Sequence, residues 1–355
     1  MRDIDKIGDA LSAASVRSER LVLATVMSVE GSVYRGAGAR MVVLANGATV
    51  GAVSGGCLEA DVVARAPDVL VAGVPELIRY DTRATDDVLL GLGMGCQGII
   101  ELLLEPLSGS SLSDAAAFYA RIARSREPVS LLTLVRSTEG IALGSRLLLD
   151  GAGQPLEGDV ALSGLTQHVA REDIAPTISL VICGGGTDAI PLARLAKSTG
   201  WHVAVVDHRS AFATTDRFPG VDAVVCLNLT HEHAALGEHV VIDGRTMAVV
   251  MAHSAVHDAA YLRAMLDAGA GYVGVLGPRR RTLELLGLGS VDDANVPSSV
   301  HSPAGLDLGA ETPEEIALSI VAEIAAVRGG RAGGMLRERR GPIHDRHSGY
   351  HQPTR

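Results

Sequence analysis

Two rhythms of apolar and polar residues run along the chain, and the change between them divides it. Up to about residue 165, short β-branched runs are separated by glycine-rich turns; from residue 178, compact apolar runs alternate with stretches of helical spacing. The first 20 residues have helical spacing, and Leu21 to Val29 then reads as a strand. Further strands are predicted at Met41 to Leu44, Thr49 to Val53 and Ile99 to Leu104, with Asn46-Gly47 as a hairpin turn between the first two. Helices are predicted from Leu58 to Val71 and from Leu112 to Arg126, the second opened by Ser113 or a neighbouring serine, and strands at Val129 to Val135 and Arg146 to Leu149.

From Ile178 the order is strand (to Cys183), helix (Ala189 to Ser198), strand (His202 to Val206), strand (Val221 to Leu227), strand (Met247 to Ala252), helix (Val256 to Ala268) and strand (Tyr272 to Leu276). Such alternation implies a parallel sheet with helices on both faces. Thr312-Pro-Glu-Glu315 has the form of a capping box with proline at the first helical position, so a last helix is predicted from there to Arg328. Gly151 to Gly164 is turn-rich and Ala175-Pro176 precedes the first buried run, which places a boundary between about 165 and 177. The expected fold class is α/β: an N-terminal mixed α+β domain with glycine-rich loops (1–170), then a Rossmann-like doubly wound parallel-sheet domain (171–328). The polar, arginine-rich remainder (329–355) reads as a disordered tail.

Composition narrows the function classes. The 355 residues are 47% hydrophobic and 20% charged, with a formal net charge of −10, which opposes binding to nucleic acid or to an anionic membrane surface. No signal-peptide core follows Met1 and no apolar run reaches the ~20 residues that a membrane-spanning helix needs, so the expected location is the cytoplasm. Cys57, Cys96, Cys183 and Cys226 are too dispersed for a disulfide framework and form no C-x-x-C pair. His231 and His233 form an H-x-H pair and read as part of a solvated loop.

Candidate chemistry lies in the glycine loops. Gly184, Gly185 and Gly186 follow a buried strand, with Ala189 at the third position of a G-x-G-x-x-G/A fingerprint, so backbone can approach a phosphate at a helix start. Asp207 ends the next strand, where a carboxylate holds ribose hydroxyls, and Arg209 beside it suits a 2′-phosphate or a second anionic group, or equally a solvated place on a loop. His253 lies just past the carboxyl end of a sheet strand, where open α/β folds place ligand residues. In the N-terminal half, Glu30 to Met41 joins glycines to Ser32, Arg35 and Arg40, a composition suited to wrapping an anion. Gly55-Gly56-Cys57-Leu58-Glu59 presents a thiol at a helix start, and Gly91 to Gly98 holds Cys96; glycine around a cysteine exposes its sulfur, which leaves a functional and a buried structural role equally open for both thiols.

Gly31-Ser32, Arg35, Gly38-Ala-Arg-Met41, Gly55-Gly-Cys-Leu-Glu59, Gly95-Cys96 with Gly98, and Leu104-Glu-Pro106 together resemble the N-terminal domain of the XdhC/CoxI family. The Gly184 loop, Val206-Asp-His-Arg209, His253 with Asp258, Tyr272 to Gly277, and Pro303 to Gly309 leading into Thr312 to Ala317 resemble its C-terminal domain, in order. The resemblance implies a xanthine dehydrogenase accessory factor. Such a protein binds molybdenum cofactor, protects it during sulfuration with a cysteine desulfurase, and delivers it to a molybdenum hydroxylase such as xanthine dehydrogenase. It also implies Cys96, Cys57 and Glu59 as working residues, with Cys96 as a ligand to molybdenum. Val33-Tyr34, Ser54, Ala252 and Pro278 depart from the family pattern. The ligand is left open between molybdopterin, its cytosine dinucleotide form, or neither.

Two functions follow from these residues. The first is a cofactor-binding chaperone, more than a turnover enzyme, working as a homodimer. The alternative is an NAD(P)-dependent oxidoreductase that uses the Rossmann-like domain, with His253 as acid or base. The N-terminal cysteine loops are explained by the first alone.

Overall fold

The computed structural model describes residues 3–81, 97–138, 140–165, 168–230, 236–288, 295–340 and 350–351. They fall into two compact units divided between Pro176 and Thr177. The N-terminal unit runs α1 (Asp3–Val16), β1 (Leu21–Ser32), β2 (Arg40–Leu44), β3 (Thr49–Gly51), α2 (Glu59–Ala72), β4 (Glu76–Asp81), β5 (Gln97–Leu107), α3 (Gly109–Arg124), β6 (Val129–Leu134), β7 (Arg146–Leu149), β8 (Pro155–Gly158) and β9 (Val169–Ile174).

Its first sheet is antiparallel in the order β3-β2-β1-β5-β4. Alternation along β1 sends Leu21 and Leu23 into a core with α1 and α3, and Val22, Ala24 and Val26 into a second core with α2. The sheet is thus buried on both faces. The second sheet, built on β9-β6-β7-β8, shares the α1/α3 core through Val129, Leu131 and Leu148. Asn46-Gly47 forms the hairpin turn, with the Asn46 side chain accepting the Ala48 amide and Gly47 at a φ of 82°. Helix α3 begins earlier than its apolar spacing implies, capped by Ser108 rather than Ser113, and Ser111 Oγ accepts the Ser108 amide at 3.0 Å.

The second unit runs β10 (Ser179–Cys183), α4 (Ala189–Ser198), β11 (His202–Asp207), β12 (Ala223–Cys226), α5 (Leu236–His239), β13 (Thr246–Val250), α6 (Ala255–Asp267), β14 (Tyr272–Val275), α7 (Arg279–Leu285), β15 (Val300–His301) and α8 (Pro313–Arg328). All six strands are parallel in the order β12-β11-β10-β13-β14-β15, the doubly wound arrangement with its switch point between β10 and β13. Every residue of β10 and β13 is buried, as strands covered on both faces must be. Leu180 and Ile182 pack under α4 and α8, while Val181 and Cys183 pack under α6 with Tyr261 and Met265. The capping box of α8 forms as its sequence implies: Thr312 Oγ1 accepts the Glu315 amide, and Glu315 accepts the Thr312 amide.

Beyond α8, Leu336–Glu338 makes one 3-10 turn, and β16 (Tyr350–His351) pairs antiparallel with the free edge of β9. Among the described residues no helix is long and apolar enough to cross a membrane.

Candidate functional site

In the N-terminal unit the turn between β3 and α2 is organised by Ser54 and Glu59. Buried Ser54 turns its Oγ inward, where it accepts the amides of Gly56 (3.2 Å) and Leu58 (3.1 Å) and lies 3.5 Å from Cys57 Sγ. Its hydroxyl donates to Glu59 Oε2, and Glu59 Oε1 accepts the amides of Val53 (3.1 Å) and Ser54 (2.8 Å). Burial works against the Glu59 charge, yet these hydrogen bonds outweigh it and hold the carboxyl below the ordinary carboxylate range. Glu59 is therefore the clamp of the turn.

Cys57 stands half-buried just before α2, outside any disulfide. Gly56, at a φ of 114°, takes a conformation that suits glycine, and the space where a Cβ would stand is open. Gly55 lies under the exposed ring of Tyr34, whose Cγ would be 3.2 Å from a Cβ at that position.

The three polar residues of the first glycine loop separate. Ser32 closes β1 opposite Gln97, and Arg35 is half-buried in the loop. Arg40 points inward: its guanidinium donates to both oxygens of Glu172, to Gly38 O (2.7 Å) and to Tyr119 Oη (3.1 Å). Cys96, His231 and His233 lie outside the described residues.

In the second unit the glycine loop leaves β10 at the switch point. Gly184 has a φ of 119°, and a Cβ there would stand 2.6 Å from the Ala252 backbone. A Cβ on Gly185 would stand 2.6 Å from Phe212 O, whereas on Gly186 the nearest atom would be His253 Cδ2 at 3.9 Å. Asp207 is wholly buried. Its Oδ1 accepts the amide and Nε of Arg209 (2.8 and 2.9 Å), and its Oδ2 accepts the Gly185 amide (2.6 Å) and Arg209 Nη2 (2.7 Å). Burial opposes the charge, but these donors hold the Asp207 carboxyl below its ordinary range.

His253 has a left-handed backbone, φ 57°, rare for a residue with a side chain. Its Nε2 is 3.3 Å from Asp188 Oδ2 at the start of α4. Behind it, buried Asp258 accepts the Ala252 amide at 2.8 Å and is itself gripped by Arg281, which also donates to Leu276 O. His208 and His257 stack with centroids 3.5 Å apart, and burial, then the neighbouring imidazole, lower the His208 pKa.

The XdhC Rossmann domain matches residues 180–324, and the XdhC and CoxI family matches residues 15–81. A Bacillus subtilis (strain 168) protein, named as a probable xanthine dehydrogenase subunit, is 34% identical over 338 residues, covering 90% of this chain and 96% of the relative. The chain belongs to the XdhC/CoxI family. A second relative, named molybdenum cofactor insertion chaperone PaoD, from Escherichia coli (strain K12), is 26% identical over 86% of this chain and 83% of its own length. A crystal structure described as a xanthine dehydrogenase from Bacillus halodurans is similar with a TM-score of 0.78 at 28% identity, covering 94% of this chain and 98% of that one. The α/β architecture, with its Rossmann-like second domain, is thus that of the XdhC/CoxI family.

Within this XdhC/CoxI chain, the residues that sequence reasoning missed are those that position others. Ser54 stands where the family pattern has glycine, yet it carries the turn around Cys57. Asp188 sits inside the glycine loop and faces His253. Arg281 falls in no motif of the sequence, and only the fold brings it onto Asp258.

Proposed function

We propose that this protein binds molybdenum cofactor, as molybdopterin or its cytosine dinucleotide, supports its sulfuration with a cysteine desulfurase, and delivers it to a molybdenum hydroxylase such as xanthine dehydrogenase. The reading is carried by the near full-length likeness to a relative named as a molybdenum cofactor insertion chaperone. The protein works in the cytoplasm as a homodimer.

The donor set of the N-terminal turn suits such a cargo. Cys57 offers a sulfur at the end of a turn that is side-chain-free at Gly55 and Gly56, and soft thiolate ligands suit soft metal centres. Ser54 and Glu59 fix the turn so that the sulfur is held in place when the cargo arrives. Cys96, by its place in the family pattern, is the second sulfur. When bound, the cofactor supplies the redox-active molybdenum that the client requires; this chain binds, shields and releases it. The test is mass spectrometry of small molecules released from the freshly purified protein. A molybdopterin product is expected, and a protein that retains none and takes up none supplied in excess refutes the reading.

A further inference from the structure

The doubly wound sheet and its glycine loop imply a nicotinamide dinucleotide at the switch point, but the residues there do not fit one. NAD bound in this way needs a carboxylate free to take the ribose hydroxyls at the end of the second strand. Asp207 has no exposed surface, and both its oxygens are engaged by Gly185 and Arg209. Arg209, the candidate for a 2′-phosphate, is held by that same carboxylate and lies 3.8 Å over the Phe212 ring. At the start of α4, where a pyrophosphate would lie, Asp188 places a carboxyl group of its own.

What stands at the start of α4 instead is the pair Asp188 and His253, 3.3 Å apart, with side chains 29% and 57% exposed. Their arrangement is built. Asp258 fixes the backbone before His253, Arg281 fixes Asp258, and the left-handed turn at residue 253 brings the imidazole across to Asp188 beside Gly186, where a Cβ would meet nothing nearer than 3.9 Å. A carboxylate oriented by a neighbour receives a planar edge with two adjacent N–H donors, as it receives a guanidinium. A 2-amino-4-oxopyrimidine ring has such an edge and a diphosphate does not.

We propose that Asp188, oriented by His253, receives the amino-pyrimidinone edge of a pterin, and that the switch point excludes NAD(P). The proposal rests on the chaperone reading above. It is tested on the full chain with three probes followed by fluorescence: pterin, lumazine (which has oxygen in place of the 2-amino group) and NADH. Pterin is expected to bind, lumazine to bind about tenfold more weakly, and NADH to show no saturable binding up to millimolar concentration. Asp188→Asn, with an unchanged thermal melt, is expected to weaken pterin about tenfold. Equal binding of pterin and lumazine, no binding of pterin, no effect of Asp188→Asn, or saturable NADH binding overturns the proposal. If the two proteins retain equal cofactor after purification, the Asp188 assignment fails and the chaperone reading stands. If wild type neither retains cofactor nor takes it up, both fall.

Discussion

Arg40 Nη2 lies 2.5 Å from Glu172 Oε2, joining β2 of one antiparallel sheet to β9 of the other within the N-terminal unit. Glu105 on β5 and Arg146 on β7 form a second pair, and both guanidinium groups lie near the Tyr119 ring, at 5.3 and 5.8 Å from its centroid. Two positive and two negative charges thus meet in a site that the first-loop arginine, read from sequence as an anion ligand, serves from the inside.

Removing one partner strands the other. Arg40 is 4% exposed, so Glu172→Ala leaves a buried cation and is expected to cost about 3 kcal/mol or more. Arg40→Met combined with Glu172→Leu removes both charges and is expected to lose far less. Denaturant unfolding of the two variants checks the order; a single variant as stable as the double would show that the pair is screened by solvent.

Asp207 links stability to pH. Its carboxyl is held below the ordinary range, so the native state binds fewer protons than the unfolded chain in the acid region. The stabilisation is fully present above the unfolded value of about 4 and is lost as pH falls through the lower folded value. Asp207→Asn has no such charge to lose. It is expected to be less stable at pH 7 and to show a flatter decline between about pH 5 and pH 3. The single tryptophan, Trp201, is buried in this unit and reports its unfolding by fluorescence. An acid limb as steep as that of wild type would mean that other groups control it.

The thiols separate cargo binding from folding. Cys57→Ser and Cys96→Ser are each expected to lower client hydroxylase activity about tenfold or more, with circular dichroism unchanged. Unchanged client activity in either variant removes that sulfur from the site.

How much of this was legible follows from what each signal depends on. The buried strands β10 and β13, the Asn46-Gly47 turn and the capping box at Thr312 rest on local pattern, and the structure has them where the sequence places them. Strands β4, β8 and β9 were not legible. Their residues are largely exposed or half-buried and charged, as in Val169-Ala-Arg-Glu-Asp-Ile174, and they become strands by pairing with neighbours distant in sequence. The glycine loops were legible as loops. The partners of their side chains were not, because Glu172 lies 132 residues from Arg40 and Arg281 lies 23 from Asp258.

Two glycines in the Rossmann-like loop divide packing from access. At Gly184 a methyl group would stand 2.6 Å from the Ala252 backbone, in a conformation with φ 119°, and neither β10 nor β13 can retreat because both are buried throughout. Gly184→Ala is expected to cost about 3 kcal/mol or more, from strain and overpacking together. At Gly186 the nearest atom would be 3.9 Å away on the His253 ring, so Gly186→Ala is expected to change stability by no more than about 1 kcal/mol. The added methyl would, however, lie beside the ring that faces Asp188. Unfolding followed at Trp201 compares the two, and similar losses would show that Gly186 also belongs to the packing of the sheet. A folded Gly186→Ala protein that no longer binds its ligand would instead assign that glycine to the space the ligand occupies.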